Sequence, residues 1–199
     1  MRFLLASRNR HKLDEYRAIL APHEVEAMPD GIALPAEGVT SYDDNARVKA
    51  EALARALGRD VGPAVIVADD SGIEVAALGG APGVISARYA GREGDDQANN
   101  RRLLTELAAL PGEHGRAARF VCVIAFVAPG AAGAEVVRGE WPGAIAAAPR
   151  GVSGFGYDPL FVPDGSGLTV AQMPEAAKNA ESHRARAARA LLGRLGCGE

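Results

Sequence analysis

Two adjacent acids, Asp69 and Asp70, directly follow a short apolar run of β-branched residues, and a serine and a glycine come after them. Such a run predicts a buried strand, and strands of α/β proteins present their carboxyl ends to ligands. Two carboxylates there need water, a cation or a hydrogen-bonding partner, because an unpaired buried charge is costly. A divalent metal with a phosphate ester would satisfy both charge and geometry. For the four residues alone, a solvated Asp-Asp-Ser-Gly turn is the commoner explanation.

A second candidate for phosphate chemistry lies where a predicted strand leads into a predicted helix near the N-terminus. The polar residues at this junction are Ser7, Arg8, Asn9, Arg10, His11 and Lys12. Small polar residues at a helix N-terminus leave backbone N–H groups available to an anion, and the lysine adds a full positive charge. The segment is not a Walker A motif. An ordinary N-cap followed by solvated basic residues explains it equally well.

A loop acid could join the acid pair. Glu37 lies in a segment with no packing reason to be acidic, and it could share a metal ion with Asp69 and Asp70. Asp44 or Asn45, a few residues further on, is of a type that caps a helix. For Glu37 taken alone, a solvated side chain is the simpler explanation.

Two later segments offer contacts suited to a planar ligand. Glycines around Phe155, Gly156, Tyr157 and Asp158 let the backbone approach closely, and the aromatic rings offer stacking faces. A glycine-rich hairpin with core aromatics is the alternative. The second segment supplies hydrogen-bond donors, namely Lys178, His183 and Arg184. These donors suit a phosphate or a base carbonyl, but alone they are typical of a solvated basic face.

Composition narrows the function classes. The chain has 199 residues, 48% of them hydrophobic, and a formal net charge of −3, which argues against bulk binding to polymeric nucleic acid or to an acidic membrane. Two cysteines make no disulfide framework, and Cys122 lies in an apolar run typical of a core thiol. The sequence has no secretory signal and no stretch of membrane-spanning length, so we expect a cytoplasmic protein with no membrane partner.

Hydrophobic periodicity predicts alternating strands and helices early in the chain and adjoining strands later. The main predicted elements are strands 3–6, 24–28, 119–127, 135–141, 144–148 and 160–162, a strand ending at the acid pair, and helices over 44–57, 97–110 and 174–195. A turn at Pro142-Gly143 is expected between two of the strands. We therefore predict one domain over residues 1–199, of class α/β, with a mixed central sheet flanked by helices.

Taken together and in order, the motifs resemble the inosine triphosphate pyrophosphatase family over nearly the whole chain. The matching pieces are Ser7-x-Asn9-x-x-Lys12, Glu37-Gly38 with Asp44-Asn45, Ala68-Asp69-Asp70-Ser71-Gly72, Leu78 to Gly83, Ser86 to Tyr89, Gly139-x-Trp141-Pro142-Gly143, Phe155 to Pro159 and Ser182-His183-Arg184. The resemblance implies two lobes with a nucleotide cleft between them, and a homodimer. It also implies hydrolysis of ITP, dITP and XTP to the monophosphate and pyrophosphate.

The resemblance further implies residue roles. Mg²⁺ would be held by Glu37 and Asp70, with Asp69 as a further candidate ligand, and Asp70 matches the general base. The N-terminal polar residues and Ser71 would bind the phosphates. Phe155, Gly156, Tyr157 and Asp158 would form the base pocket, completed by Lys178, His183 and Arg184. A pocket of donors rewards the 6-oxo group of inosine and clashes with the amino group of adenine.

Two other classes of protein remain open from the sequence. A non-catalytic nucleotide sensor could use the same scaffold, although the retained acids Asp69, Asp70 and Glu37 argue against it. An interaction protein whose motifs are structural turns is the second, and such a protein would not be stabilised by any nucleotide.

Overall fold

The computed structural model describes residues 1–110 and 113–197. The chain divides into two compact units. Unit 1 comprises Met1–Asp70, Cys122–Gly139 and Arg184–Glu199, and unit 2 comprises Ser71–Val121 and Glu140–His183. A single domain over 1–199, and a nucleotide cleft between two lobes, stay predictions.

Six strands form one mixed sheet flanked by helices, which confirms the predicted α/β class. The strands are β1 (Arg2–Leu5), β2 (Glu24–Ala27), β3 (Val65–Val75), β4 (Ala117–Val127), β5 (Glu135–Ile145) and β6 (Phe161–Pro163), in the order β2-β1-β3-β4-β5-β6. Strand β1 pairs in parallel with β2 and β3, whereas β5 and β6 are antiparallel. The helices are α1 (Arg10–Ile19), α2 (Tyr42–Leu57), α3 (Asp96–Ala108), α4 (Glu175–Glu181) and α5 (His183–Arg194).

Each unit has its own hydrophobic core. In unit 1, side chains of β1, β3 and β4 pack against apolar positions of α1 and α5, among them Phe3, Tyr16 and Leu191. Cys122 belongs to this core and is a free, buried thiol, as the sequence predicted. In unit 2 the core is richer in aromatic residues, and the Phe161 ring lies 4.6 Å from that of Phe120, centroid to centroid.

Strand β3 continues through the acid pair, so the prediction that the strand ends at Asp69 and Asp70 is wrong. It runs on to Val75, and both Ile73 and Val75 are fully buried in the core of unit 2. Ser86 Oγ accepts a hydrogen bond from the Ile73 N–H at 2.9 Å. The core contacts of Ile73 and Val75 outweigh the turn character of Asp-Asp-Ser-Gly.

Two other predicted boundaries are wrong. Strand β5 passes through Pro142 and Gly143 without a turn, and Gly143 pairs with Pro163 of β6. A Cβ at Gly143 would overlap the Val162 carbonyl oxygen, so this glycine serves close backbone approach. The last predicted helix is interrupted at Ser182, whose ψ of 162° is extended, and α5 begins at His183.

Most helix limits follow the sequence signals. Helix α2 ends at Gly58, whose φ of +52° lies in the region that favours glycine. None of the helices formed by the described residues combines the length and apolar character needed to cross a bilayer.

Candidate active site

The acid pair lies in the middle of β3, where both side chains are buried. Asp69 Oδ1 accepts a hydrogen bond from Lys12 Nζ at 3.0 Å, and its Oδ2 lies 3.5 Å from Arg184 Nε, a charge contact longer than a good hydrogen bond. Burial raises the pKa of the Asp69 carboxyl, but Lys12, Arg184 and Lys49 overcome that effect and lower it to about 2. The Asp69 carboxylate therefore stays ionised and attracts the positively charged side chains around it.

Glu15 extends this charge network. Arg184 Nη1 donates to Glu15 Oε2 at 3.0 Å, and both side chains are buried. Burial by itself lowers the pKa of the Arg184 guanidinium, but the negative charges of Glu15 and Asp69 outweigh burial. The net effect is a pKa above the ordinary value of arginine. Helices α1 and α5 are thus tied to β3 by buried ion pairs as well as by apolar packing.

Asp70 is contacted from α2. Asn45 Nδ2 donates to Asp70 Oδ2 at 2.8 Å, and Asn45 Oδ1 accepts from the Gly38 N–H at 2.7 Å. The suggestion that Asp44 or Asn45 caps the helix is wrong, because Ser41 is the cap and its Oγ accepts from the Asp44 N–H. Asn45 instead fixes the Glu37-Gly38 loop beside the acid pair.

Lys49, one turn further along α2, is a buried cation that the sequence analysis missed. Its Nζ donates to Glu37 Oε1 and, at 2.7 Å, to the Asp69 carbonyl oxygen. Burial lowers the pKa of Lys49, but Asp69 and Glu37 more than offset this and the pKa is raised. Asn45 and Lys49 are four residues apart on one face of a helix, and polar residues on a buried face are the signal that could have found them.

The pKa of Asp70 is raised, in contrast to that of Asp69. Burial is the largest cause, and the positive charge of Lys49 and the hydrogen bond from Asn45 oppose it only in part. The negative charge of Glu37 adds to the rise. The two adjacent acids therefore have opposite shifts, set by which neighbours each one has.

Glu37 and Asp70 are a donor set that fits a hard divalent cation. Both supply carboxylate oxygens, the ligands that such a cation prefers, and in the protein itself Lys49 Nζ pairs with the Glu37 carboxylate. Among residues 1–110 and 113–197, no group of three or more His, Cys, Asp or Glu side chains is placed to hold a metal ion. Mg²⁺ is commonly held by one or two carboxylates with waters and substrate phosphates, so two acids suffice.

The N-terminal polar segment leads into α1 as expected. Asn9 is the N-cap, and its Oδ1 accepts from the Lys12 N–H at 3.2 Å. Ser7 Oγ accepts from the Asn9 N–H, and Arg8 donates to the Ile32 carbonyl oxygen at 2.7 Å. The side chains of Arg10 and His11 are exposed. Within this segment, Lys12 forms an ion pair with Asp69.

In unit 2, the glycine-rich segment forms a loop organised around Asp158. Asp158 Oδ2 accepts from the Phe155 N–H at 3.0 Å and from Lys178 Nζ at 2.6 Å, and both charged side chains are buried. Lys178 Nζ also lies 4.9 Å from the centroid of the Phe155 ring. A Cβ at Gly154 would overlap the Asp158 carboxylate, so the loop needs glycine there.

The other predicted site residues of unit 2 contact residues outside the glycine-rich loop. Tyr157 Oη donates to the Ser86 carbonyl oxygen at 2.9 Å. His183 is buried and stacks on Phe120, with ring centroids 4.7 Å apart and planes 12° from parallel. Ser71 follows Asp70 in β3 as the first residue of unit 2. The predicted site residues thus form one charged group in unit 1 and one loop-centred group in unit 2.

A model of the Ham1 family matches residues 3–194, and the chain belongs to this family. A Nocardia farcinica protein named dITP/XTP pyrophosphatase is 50% identical over 200 residues, which cover 96% of this chain and 93% of the relative. A Streptomyces coelicolor protein of the same name is 47% identical over 199 residues, with coverage of 96% and 95%. The structure of the Staphylococcus aureus Ham1 protein has a TM-score of 0.81 at 36% identity and covers 98% of both chains.

Proposed function

We propose that this protein hydrolyses non-standard purine nucleoside triphosphates, ITP, dITP and XTP, to the monophosphate and pyrophosphate. The observation that carries the proposal is the buried acid pair of β3, whose two carboxylates have different partners and opposite pKa shifts. Environments that separate the pKa values of two acids also separate their chemical roles. The relatives named dITP/XTP pyrophosphatase support the same reaction and two of the three substrates, dITP and XTP.

Asp70 is the residue that accepts the proton. Asp69 is bound by the charged side chains of Lys12 and Arg184, whereas Asp70 accepts a hydrogen bond from the neutral amide of Asn45. In the proposed step, a water gives its proton to the Asp70 carboxylate while its oxygen attacks the α-phosphorus. The bond from that phosphorus to the bridging oxygen breaks, and pyrophosphate leaves.

Positive charge for the triphosphate comes from Lys12 and Lys49, together with backbone N–H groups at the start of α1. Glu37 and Asp70 would hold Mg²⁺, which when bound neutralises phosphate charge and polarises water. Ser7, Asn9 and Ser71 add polar contacts to the phosphate chain. Asp69 keeps Lys12 oriented through its 3.0 Å ion pair.

The base is assigned to the loop-centred group. Phe155 stacks on the purine, and Gly156, Tyr157 and Asp158 complete the loop that carries it. His183 of unit 2 acts as a donor to the 6-oxo group, whereas Arg184 stays in its ion pairs with Glu15 and Asp69. A site built on such hydrogen bonds discriminates by roughly 10⁴ against a base with an amino group there. We also propose that the protein is cytoplasmic and that it is a homodimer. Light scattering in solution tests the homodimer, for which the expected mass is twice that of the chain.

A substrate panel tests the proposal. ITP, dITP, XTP, GTP and ATP are incubated with Mg²⁺, and pyrophosphate and orthophosphate are measured separately. We expect pyrophosphate and monophosphate in equal amounts from the first three nucleotides, little from ATP, and no activity after chelation. The Asp70→Asn variant, prepared in parallel, controls for contaminating phosphatases. Direct release of orthophosphate, or no cleavage of any nucleotide, would reject the proposed function.

A further inference from the structure

Helix α3 holds the backbone of Gly156 from both sides. Asp96 Oδ2 accepts a hydrogen bond from the Gly156 N–H at 2.7 Å, and Asn100 Nδ2 donates to the Gly156 carbonyl oxygen at 2.9 Å. Asp96 and Asn100 are four residues apart, so they lie on one face of the helix. The donor and the acceptor of a single glycine are thus both bound by side chains of one element.

Gly156 is the residue at which this support matters most. It follows Phe155 directly, and its φ is +62°. Glycine adopts positive φ readily but can also leave it readily, so contacts are needed to hold this conformation. On the other side of Phe155, the Asp158 carboxylate binds the Phe155 N–H. The α3 contacts therefore complete a frame around the short backbone segment that carries the aromatic ring.

We infer that Asp96 and Asn100 are positioning residues, which hold the Gly156 backbone so that the Phe155 ring is already oriented to stack on a purine. The inference rests on the proposed function, and it adds two residues to which that function assigned no role. A ring fixed before binding loses less conformational freedom when the base arrives, so affinity for the base increases. The phosphate chain, bound elsewhere, gains nothing from this frame.

The chain offers a matched control one residue away. Asn99 lies on the same helix and is buried, but its Oδ1 accepts from the Ala90 N–H at 2.7 Å and its Nδ2 donates to the Ala87 carbonyl oxygen at 3.1 Å. Asn100→Asp and Asn99→Asp make the same isosteric change, replacing an amide donor by a carboxylate that faces a carbonyl oxygen. Asn100→Asp releases the Gly156 loop, and Asn99→Asp releases the turn at residues 87–90.

Steady-state kinetics with dITP separate positioning from stability. We expect Asn100→Asp to raise KM about tenfold, the effect of losing one well-placed hydrogen bond, with kcat changed less than about twofold. Inhibition by inorganic tripolyphosphate, which has no base, should be unchanged. Asn99→Asp should lower the melting temperature and leave KM near the wild-type value. In a Phe155→Ala background, Asn100→Asp should add little, because the residue acts through the missing ring.

Equal KM increases in the Asn100 and Asn99 variants, or additive effects of Asn100→Asp and Phe155→Ala, would overturn the inference. Amide hydrogen exchange of the segment 154–158 provides a readout that does not depend on catalysis. Asn100→Asp should accelerate exchange there more than Asn99→Asp does, and equal rates would also overturn the inference. If the wild-type protein cleaves no purine triphosphate, the proposed function fails by itself, and the exchange rates still decide whether α3 holds the loop.

Discussion

The charged group of unit 1 and the loop of unit 2 are built in different ways. In unit 1, full charges from three helices meet buried acids on a strand, as in the contacts of Lys12 and Arg184 with Asp69. In unit 2, backbone groups of a glycine-rich loop are bound by side chains, and an aromatic ring lies among them. The first arrangement suits a charged phosphate chain, and the second suits an uncharged planar base.

The largest effect is expected from Asp70→Asn. The substitution keeps the size of the side chain but removes the proposed proton acceptor and proposed metal ligand, so kcat should fall by roughly 10²–10⁴. Thermal unfolding of the same preparation shows whether the fold is intact. A folded variant with near-normal kcat would remove Asp70 from catalysis.

Breaking the buried ion pair of unit 1 should have the largest effect on stability. Glu15→Gln leaves the Arg184 guanidinium with one carboxylate fewer in a buried setting, and we expect a loss of about 3 kcal/mol in the free energy of unfolding. The control is Glu51→Gln, because Glu51 lies on the surface of α2, 3.9 Å from Arg55, and such pairs contribute less than about 1 kcal/mol. Urea denaturation measures both, and equal small losses would contradict the role given to the Glu15 pair.

Lys12→Ala should separate the phosphate chain from the base. Loss of one charge-assisted hydrogen bond predicts roughly tenfold to hundredfold weaker binding of tripolyphosphate, with binding of inosine almost unchanged. Calorimetry with the two ligands measures this split. Arg17→Ala, at the other end of α1, is the control and should change neither ligand. If the Lys12 variant loses both ligands equally, Lys12 has a structural role only.

Phe155→Ala should give the opposite split. A stacked base contributes about 1–3 kcal/mol and stacking is nearly indifferent to the base, so KM for ITP and ATP should rise by similar factors. Phe155→Tyr keeps an aromatic face and should restore most of the affinity. A KM increase confined to ITP would show that the ring reads the 6-oxo group and not merely the plane of the base.

The smallest effect concerns the core of unit 1, where burial raises the pKa of the Cys122 thiol to about 12. At pH 8 this group is almost wholly protonated, and the protonated form is unreactive toward alkylating agents. Iodoacetamide should therefore modify Cys197, which is exposed, and reach Cys122 only after unfolding. Mass spectrometry of the native protein gives the stoichiometry, and rapid modification of Cys122 would mean that this core opens readily.

Local signals in the sequence were enough for most elements and failed where tertiary contacts override them. Gly58 ends α2 as predicted, but Pro142 and Gly143 look like a turn and lie within a strand, because β6 approaches the backbone there. Asp69 and Asp70 look like the end of a strand because no local signal shows that Ile73 begins a second core. Such errors arise from long-range pairing, which single-sequence patterns do not contain.

In the candidate site, too, local sequence signals predicted some residues, and tertiary contacts decided the others. Asp69, Asp70, Glu37 and Lys12 were all candidates from residue type and spacing. In unit 1, ion pairs and a hydrogen bond link Lys12, Asp69, Lys49 and Glu37, and Asn45 links Asp70 to Gly38. Lys49 was missed, because a lysine in an amphipathic helix is normally solvated and only its position on a buried face marks it. The proposal that Asp70 and not Asp69 is the base depends on the neighbours of the two acids, and those neighbours come from α1, α2 and α5.

Hydrolysis in water enriched in ¹⁸O is the most direct test of the central claim, which is attack of water on the α-phosphorus. With dITP and Mg²⁺, mass spectrometry of the two products shows which one carries the heavy oxygen. One ¹⁸O atom in the nucleoside monophosphate and none in the pyrophosphate is the predicted result. Label in the pyrophosphate would mean attack on the β-phosphorus and would contradict the proposed step.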